Sequence, residues 1–200
     1  MRSVFEQPHL SVEHVAVEIS AIGRLINQRQ METGLSPGPF RAYAELAIRL
    51  DASLSISEPQ YQTLYAQIRA AFLRSLPLLA EGGLPNFLTD LRSRPATVSL
   101  LSNTVFVGGG VMREALGELG LSSQVDFMHF SDETGYAKPS RLAFEGMIRD
   151  AMQINPRLEG PSQILHVGDD LAADGAAPLC GVALKIVDKD RPISLGVDPC

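Results

Sequence analysis

The sequence predicts an α/β protein: a Rossmann-like core built on a parallel sheet, preceded by a small all-helical lobe. Three observations carry this. From residue 96 onward, short apolar runs alternate with segments of helical spacing, the pattern of a parallel sheet with crossover helices. The first three of those runs each break into polar residues, which gathers hydroxyls, amides and carboxylates at one edge. Residues 11 to 76 show helical spacing and no good strand.

The helical lobe comes first. Val12, Val15, Ile19, Ile22 and Ile26 recur at spacings of three and four, so residues 11 to 30 read as an amphipathic helix with Ser11 as N-cap. The Gly and Pro residues between Glu32 and Pro39 mark a loop. A second helix runs from about Phe40 to Leu50. Ser57-Glu58-Pro59 starts a third, which carries Tyr61, Leu64, Tyr65, Ile68, Phe72 and Leu73.

Glu81-Gly82-Gly83 breaks the chain, and Leu84 to Leu91 reads as a short helix. Ala96 to Leu101 is a strand ending in Ser102-Asn103-Thr104, followed by a helix from Met112 to Leu119. Val125 to Phe130 is a strand ending in Ser131-Asp132-Glu133, with a helix from Arg141 to Met152 behind it. Gln163 to Val167 is a strand ending in Gly168-Asp169-Asp170. A short helix over Ala173 to Leu179, interrupted by Pro178, leads to a last strand over Val182 to Val187. The expected division is an N-terminal remnant (1–10), a helical cap (11–78) and an α/β core (79–200).

Composition narrows the function. Of 200 residues 45% are hydrophobic and 20% charged, enough to bury a core and too little charge for a disordered polyelectrolyte. The 17 Lys and Arg against 23 Asp and Glu leave a net charge of −6, which argues against nucleic-acid or anionic-membrane binding. No run of about 18 apolar residues offers a membrane span, and the first ten residues lack a signal-peptide stretch. Cys180 and Cys200 make no disulfide framework. A cytoplasmic setting is the simplest expectation.

Three motifs can carry chemistry. Gly168-Asp169-Asp170 with Asp174 delivers carboxylates from a strand end, which suits a hard cation such as Mg2+. Capping of the next helix is the ordinary alternative for Asp170 and Asp174. Gly135-Tyr136-Ala137-Lys138-Pro139 holds a lysine at a loop–helix junction on the same edge, where an ammonium can meet a phosphate oxygen. Ser102-Asn103-Thr104 offers a hydroxyl and loop amides to a phosphoryl oxygen, though it is also common turn chemistry. Gly108-Gly109-Gly110 lacks nucleotide-binding spacing, and His166, inside a strand, reads as a core or hydrogen-bonded histidine. Tyr61, Tyr65 and Arg69 could face a substrate, but helix-spaced aromatics more often pack.

In this order and spacing, the motifs resemble the second, third and fourth motifs of the haloacid dehalogenase-like hydrolases, phosphatase type, over residues 80 to 188. The helical segment is similar to that family's small cap. The resemblance implies a phosphohydrolase acting with Mg2+ on a small phosphorylated molecule. Ser102 and Asn103 would bind the phosphoryl group, and Lys138 would steady both it and the nucleophile. Asp169 would hold the metal, with Asp170 or Asp174 in support. The family's first motif, Asp-x-Asp-x-Thr, supplies the attacking aspartate and the general acid–base, and it does not occur in this sequence. The chain as given is then expected to be inactive or incomplete, with Mg2+ binding weak or absent and the first, central strand missing. Residues 1 to 5, a partner chain, a rearranged sheet or an upstream segment would fill its place, and a homodimer or a strand-completing partner is the expected association. The competing expectation is a non-catalytic relative that binds a ligand or partner.

Overall fold

The structure, a computed structural model, describes residues 10–78 and 84–188. Helix α1 (Val12–Thr33) starts where Ser11 Oγ accepts the His14 N–H at 3.0 Å. It runs past residue 30 and closes at Gly34, whose φ of 68° lets its N–H return to Gln30 O. Helix α2 (Gly38–Leu50) starts ahead of the predicted Phe40, because Pro39 suits a first helical turn. Helix α3 (Glu58–Arg74) starts where Gln60 Oε1 accepts the Ser57 N–H at 3.0 Å.

These helices bury Ile22, Ile26, Ala42, Tyr43, Leu46, Ala47, Tyr61 and Leu64 in one cluster. Val12 and Ile19, expected on the apolar face, stay 69% and 37% exposed. The buried residues of α1 are Ile22, Ile26 and Gln30, and in its first half Val15 packs only partly buried against the cluster. Val105 and Phe106 pack against the same cluster, and Tyr43 and Phe106 hold ring centroids 5.2 Å apart. The lobe therefore shares apolar surface with the loop that leaves the first strand.

The rest alternates as predicted: α4 (Leu84–Arg92), β1 (Ser99–Ser102), α5 (Gly109–Glu118), β2 (Phe127–Phe130), α6 (Ser131–Thr134), α7 (Arg141–Ile154), β3 (Leu165–Gly168), α8 (Leu171–Asp174) and β4 (Ala183–Ile186). The strands are shorter than the apolar runs suggest. The predicted helix over 173–179 is not continuous. Helix α8 is a single turn, and a 3-10 turn over Ala177–Cys180 takes Pro178 near its start, where the missing N–H leaves no gap in a helix.

The fold class is the expected one, α/β with parallel strands. Strand β1 pairs in parallel with β2, Ser99 opposite Phe127, and β3 with β4, Leu165 opposite Ala183. Among the described residues the two pairs do not join each other in one ladder. Helix α7 ties them together: Phe144, Met147 and Ile148 pack with Leu101 and Phe127 of the first pair and Leu184 of the second. Truncating a fully buried Phe such as Phe144 costs about 3–5 kcal/mol. The Glu81-Gly82-Gly83 break, Cys200, and residues 1 to 5 as a possible filler of the sheet lie outside the described residues. No described helix is long and apolar enough to cross a membrane.

Candidate active site at the strand ends

Lys138 sits between the ends of β1 and β3. Its backbone is gripped by Asn103, just beyond β1: the Lys138 N–H donates to Asn103 Oδ1 at 2.7 Å, and Asn103 Nδ2 donates to Lys138 O at 2.9 Å. Both polar atoms of the Asn103 amide thus serve the lysine loop. The Lys138 Nζ donates to Asp174 Oδ1 at 2.6 Å. Ser102 closes β1 half-buried, its hydroxyl turned to Asn103 O at 3.3 Å.

Asp174 ends α8 and is 1% exposed. Its Oδ1 takes a second contact from His166 Nε2 at 2.7 Å, and its Oδ2 accepts the Asp170 N–H at 3.1 Å. Burial pushes the Asp174 carboxyl up, but the Lys138 and His166 contacts outweigh it and hold it below the usual carboxylate value. Burial pushes the His166 imidazole down; its hydrogen bond to Asp174 opposes this and the Lys138 charge adds to it, so the ring is neutral near pH 7. A neutral ring facing a carboxylate through Nε2 carries its proton there. His166, read from sequence as a core or hydrogen-bonded histidine, is both: it is buried, and it packs edge-on against Phe144 with centroids 5.3 Å apart.

The other carboxylates divide by task. Asp170 Oδ1 accepts the Ala172 N–H at 2.9 Å and caps α8. Asp169 is exposed, and among the described residues its carboxylate meets no hydrogen-bond donor. The described residues place no trio of His, Cys, Asp or Glu side chains to hold a metal. A lone carboxylate is a weak holder for Mg2+, which takes one or two of them beside waters and substrate oxygens.

Two strand-end carboxylates expected near the site do structural work instead. Asp132 accepts the Gly109 N–H at 3.1 Å and the Thr104 hydroxyl at 2.7 Å, which caps α5. Glu133 forms an ion pair with Arg113. Tyr61, Tyr65 and Arg69 are also engaged in packing and pairing. Tyr61 and Tyr65 stack at 5.3 Å, Tyr65 Oη accepts the Gly108 N–H at 2.8 Å, and Arg69 pairs with Glu114. Burial, with nearby Tyr65, pushes Tyr61 up to about 12.

One set of residues went unseen in sequence. The turn after α1 pairs with the lysine loop: Ser36 N–H donates to Gly135 O at 3.0 Å, and Ala137 N–H to Gly34 O at 2.9 Å. Beside it, Gln30 Nε2 donates to Thr104 O at 3.0 Å, and Ser131 Oγ to Ser36 Oγ at 3.0 Å. Gln30 is fully buried. A glutamine in register with Ile22 and Ile26 on the buried stripe was the available signal.

Solved structures share this architecture. The HAD-hydrolase YfnB of Bacillus subtilis, bound to magnesium, superposes with a TM-score of 0.61 at 16% identity, covering 92% of this chain and 75% of that one. The fold is the haloacid dehalogenase-like one. A 2-haloacid dehalogenase of Pseudomonas syringae (TM-score 0.56, 16% identity, 88% and 69% of the two chains) has this fold too. So does a HAD phosphatase of Thermococcus onnurineus (0.52, 14%, 90% and 83%). In sequence, the chain is 30% identical over 84 residues to an uncharacterized hydrolase of Schizosaccharomyces pombe. That match takes in 42% of this chain and 35% of the relative's length. No family model matches.

Proposed function

We propose that this chain is the cap and phosphoryl-binding core of a Mg2+-dependent phosphohydrolase for a small phosphorylated molecule, working in the cytoplasm. The observation that carries the reading is the Lys138 ammonium, held at 2.6 Å by the buried Asp174 where β1 and β3 end. A cation held in place can bind phosphoryl oxygens without reorganising as charge shifts during reaction, and the Ser102 hydroxyl at the end of β1 would join it. Asp169 would hold the Mg2+, which when bound would neutralise further phosphoryl charge. Asp170 caps the turn that follows Asp169, and Asp174 supports the site through Lys138.

Hydrolysis also needs an attacking carboxylate, and the sequence holds no Asp-x-Asp-x-Thr. In this reading an aspartate-bearing strand from a partner chain completes the sheet beside β1 or β3. The test is hydrolysis of an aryl phosphate by the 200-residue chain with Mg2+, beside Asp169→Asn. Turnover abolished by the substitution supports a working site. Measurable turnover that is equal in both proteins rejects Asp169 as metal holder, and no turnover in either favours the binding reading below.

A second reading is a non-catalytic binding protein. It is favoured by the split of the sheet into two parallel pairs among the described residues. Phosphate binding that depends on Lys138, with no turnover, would select it.

A further inference from the structure

We infer that His166 is a positioning residue for the Lys138 ammonium, acting through Asp174. The inference rests on the reading of Lys138 as the phosphoryl-binding cation. Its physical basis is the sharing of one atom. His166 Nε2 and Lys138 Nζ both contact Asp174 Oδ1, at 2.7 and 2.6 Å.

The two donors differ in stiffness. A lysine side chain has many rotamers and cannot by itself define where a carboxylate points. His166 can. Its backbone lies within β3, and its ring is set against Phe144, which has no exposed surface. The imidazole is thus a rigid post built into the strand.

Asp174 needs such a post. It is carried on the single turn of α8, where one backbone N–H, from Asp170, reaches its Oδ2. That bond leaves Oδ1 free to pivot about it. The contact from His166 removes the pivot and turns the remaining capacity of Oδ1 toward Lys138. The order of command is therefore strand, histidine, carboxylate, ammonium. Removing the imidazole donor leaves a carboxylate oxygen that is buried and short of one partner, so the carboxylate reorients and the ammonium loses its fixed direction.

Two variants separate donation from packing. His166→Gln keeps an N–H donor near the position of Nε2. His166→Leu keeps bulk against Phe144 and donates nothing. The chain has only three lysines, Lys138, Lys185 and Lys189, so its ammonium groups can be assigned by nitrogen-detected magnetic resonance on the full chain. The expected result is a distinct, slowly exchanging Lys138 signal in wild type and in His166→Gln, and an exchange rate raised at least tenfold in His166→Leu. A Lys138 signal unchanged in a folded His166→Leu overturns the inference. If His166→Leu does not fold, His166→Asn, whose amide is too short to span to Oδ1, takes its place under the same criterion.

Inorganic phosphate with Mg2+, titrated by calorimetry, tests the underlying reading separately. His166→Leu is expected to weaken binding five- to tenfold and His166→Gln less than twofold. Binding that survives Lys138→Met removes the phosphoryl role of Lys138, while the resonance experiment still decides whether His166 positions it.

Discussion

Asn103 clamps the Lys138 peptide from both sides, accepting its N–H at 2.7 Å and donating to its carbonyl at 2.9 Å. The residue just beyond one strand thereby sets the height of a lysine that follows the next. Asn103→Ala deletes both bonds and leaves two half-buried peptide groups without partners. The expected cost is about 1–3 kcal/mol, read as a lower urea midpoint at unchanged slope. Asn103→Asp keeps the acceptor for the Lys138 N–H and loses only the donor, so it is expected to fall between wild type and Asn103→Ala. An unchanged midpoint in Asn103→Ala would show that the clamp contributes nothing.

Gly168 leaves room for Asp174. A Cβ at Gly168 would stand 2.0 Å from Asp174 Oδ2, inside any allowed contact. Gly168→Ala is expected to destabilise the protein by about 1–3 kcal/mol through overpacking. Combined with Asp174→Ala, which removes the obstructing carboxylate, the double variant should cost clearly less than the sum of the singles. Strict additivity in thermal unfolding would contradict the contact.

Acid should destabilise the protein in two stages. The unfolded His166 takes up a proton as pH falls through about 6.5, while the folded one, pushed lower by burial, does not. The unfolded Asp174 takes one up near about 3.9, while the folded carboxyl stays charged to lower pH. In both cases the unfolded state binds more protons, so stability is present above these values and is lost as pH drops. Urea midpoints at pH 7.5, 5.5 and 4 are expected to decline in wild type. The first stage should be shallower in His166→Gln, and identical slopes would exclude His166 from it.

Gly34 is a second site where a side chain has no place. Its φ is 68°, and a Cβ there would lie 2.6 Å from the Cβ of Ser140. Gly34→Ala should strain the end of α1 and loosen the Gly34–Ala137 hydrogen bond. The expected outcome is faster amide exchange at Ala137, with the four strands unaffected. Unaltered exchange at Ala137 would show that this glycine does not govern the joint.

Much of this was legible in local pattern. The strands were readable because each apolar run breaks abruptly into polar residues, and Ser11 announced α1 by its position before the first spaced valine. What pattern could not supply was the destination of each polar group. Asp132 looked like a site carboxylate, yet it caps a helix that starts 23 residues upstream of it. Asp174 looked like a helix cap or a metal support, and its carboxylate meets Lys138, 36 residues away. Gln30 reaches Thr104 across 74 residues. Such pairings are made by the fold, and a sequence window holds only one end of them.

The antiparallel contact between Leu35 and Tyr136 joins the helical lobe to the very loop that carries Lys138. The lobe is consequently not an interchangeable attachment. A lobe transplanted from another protein would have to bring its own turn, with a left-handed residue in the place of Gly34 and a hydroxyl in the place of Ser36, or the host lysine would be displaced along with the graft. Engineering of new specificities on this scaffold should therefore exchange residues 30–36 and 131–138 together, as one inheritable unit.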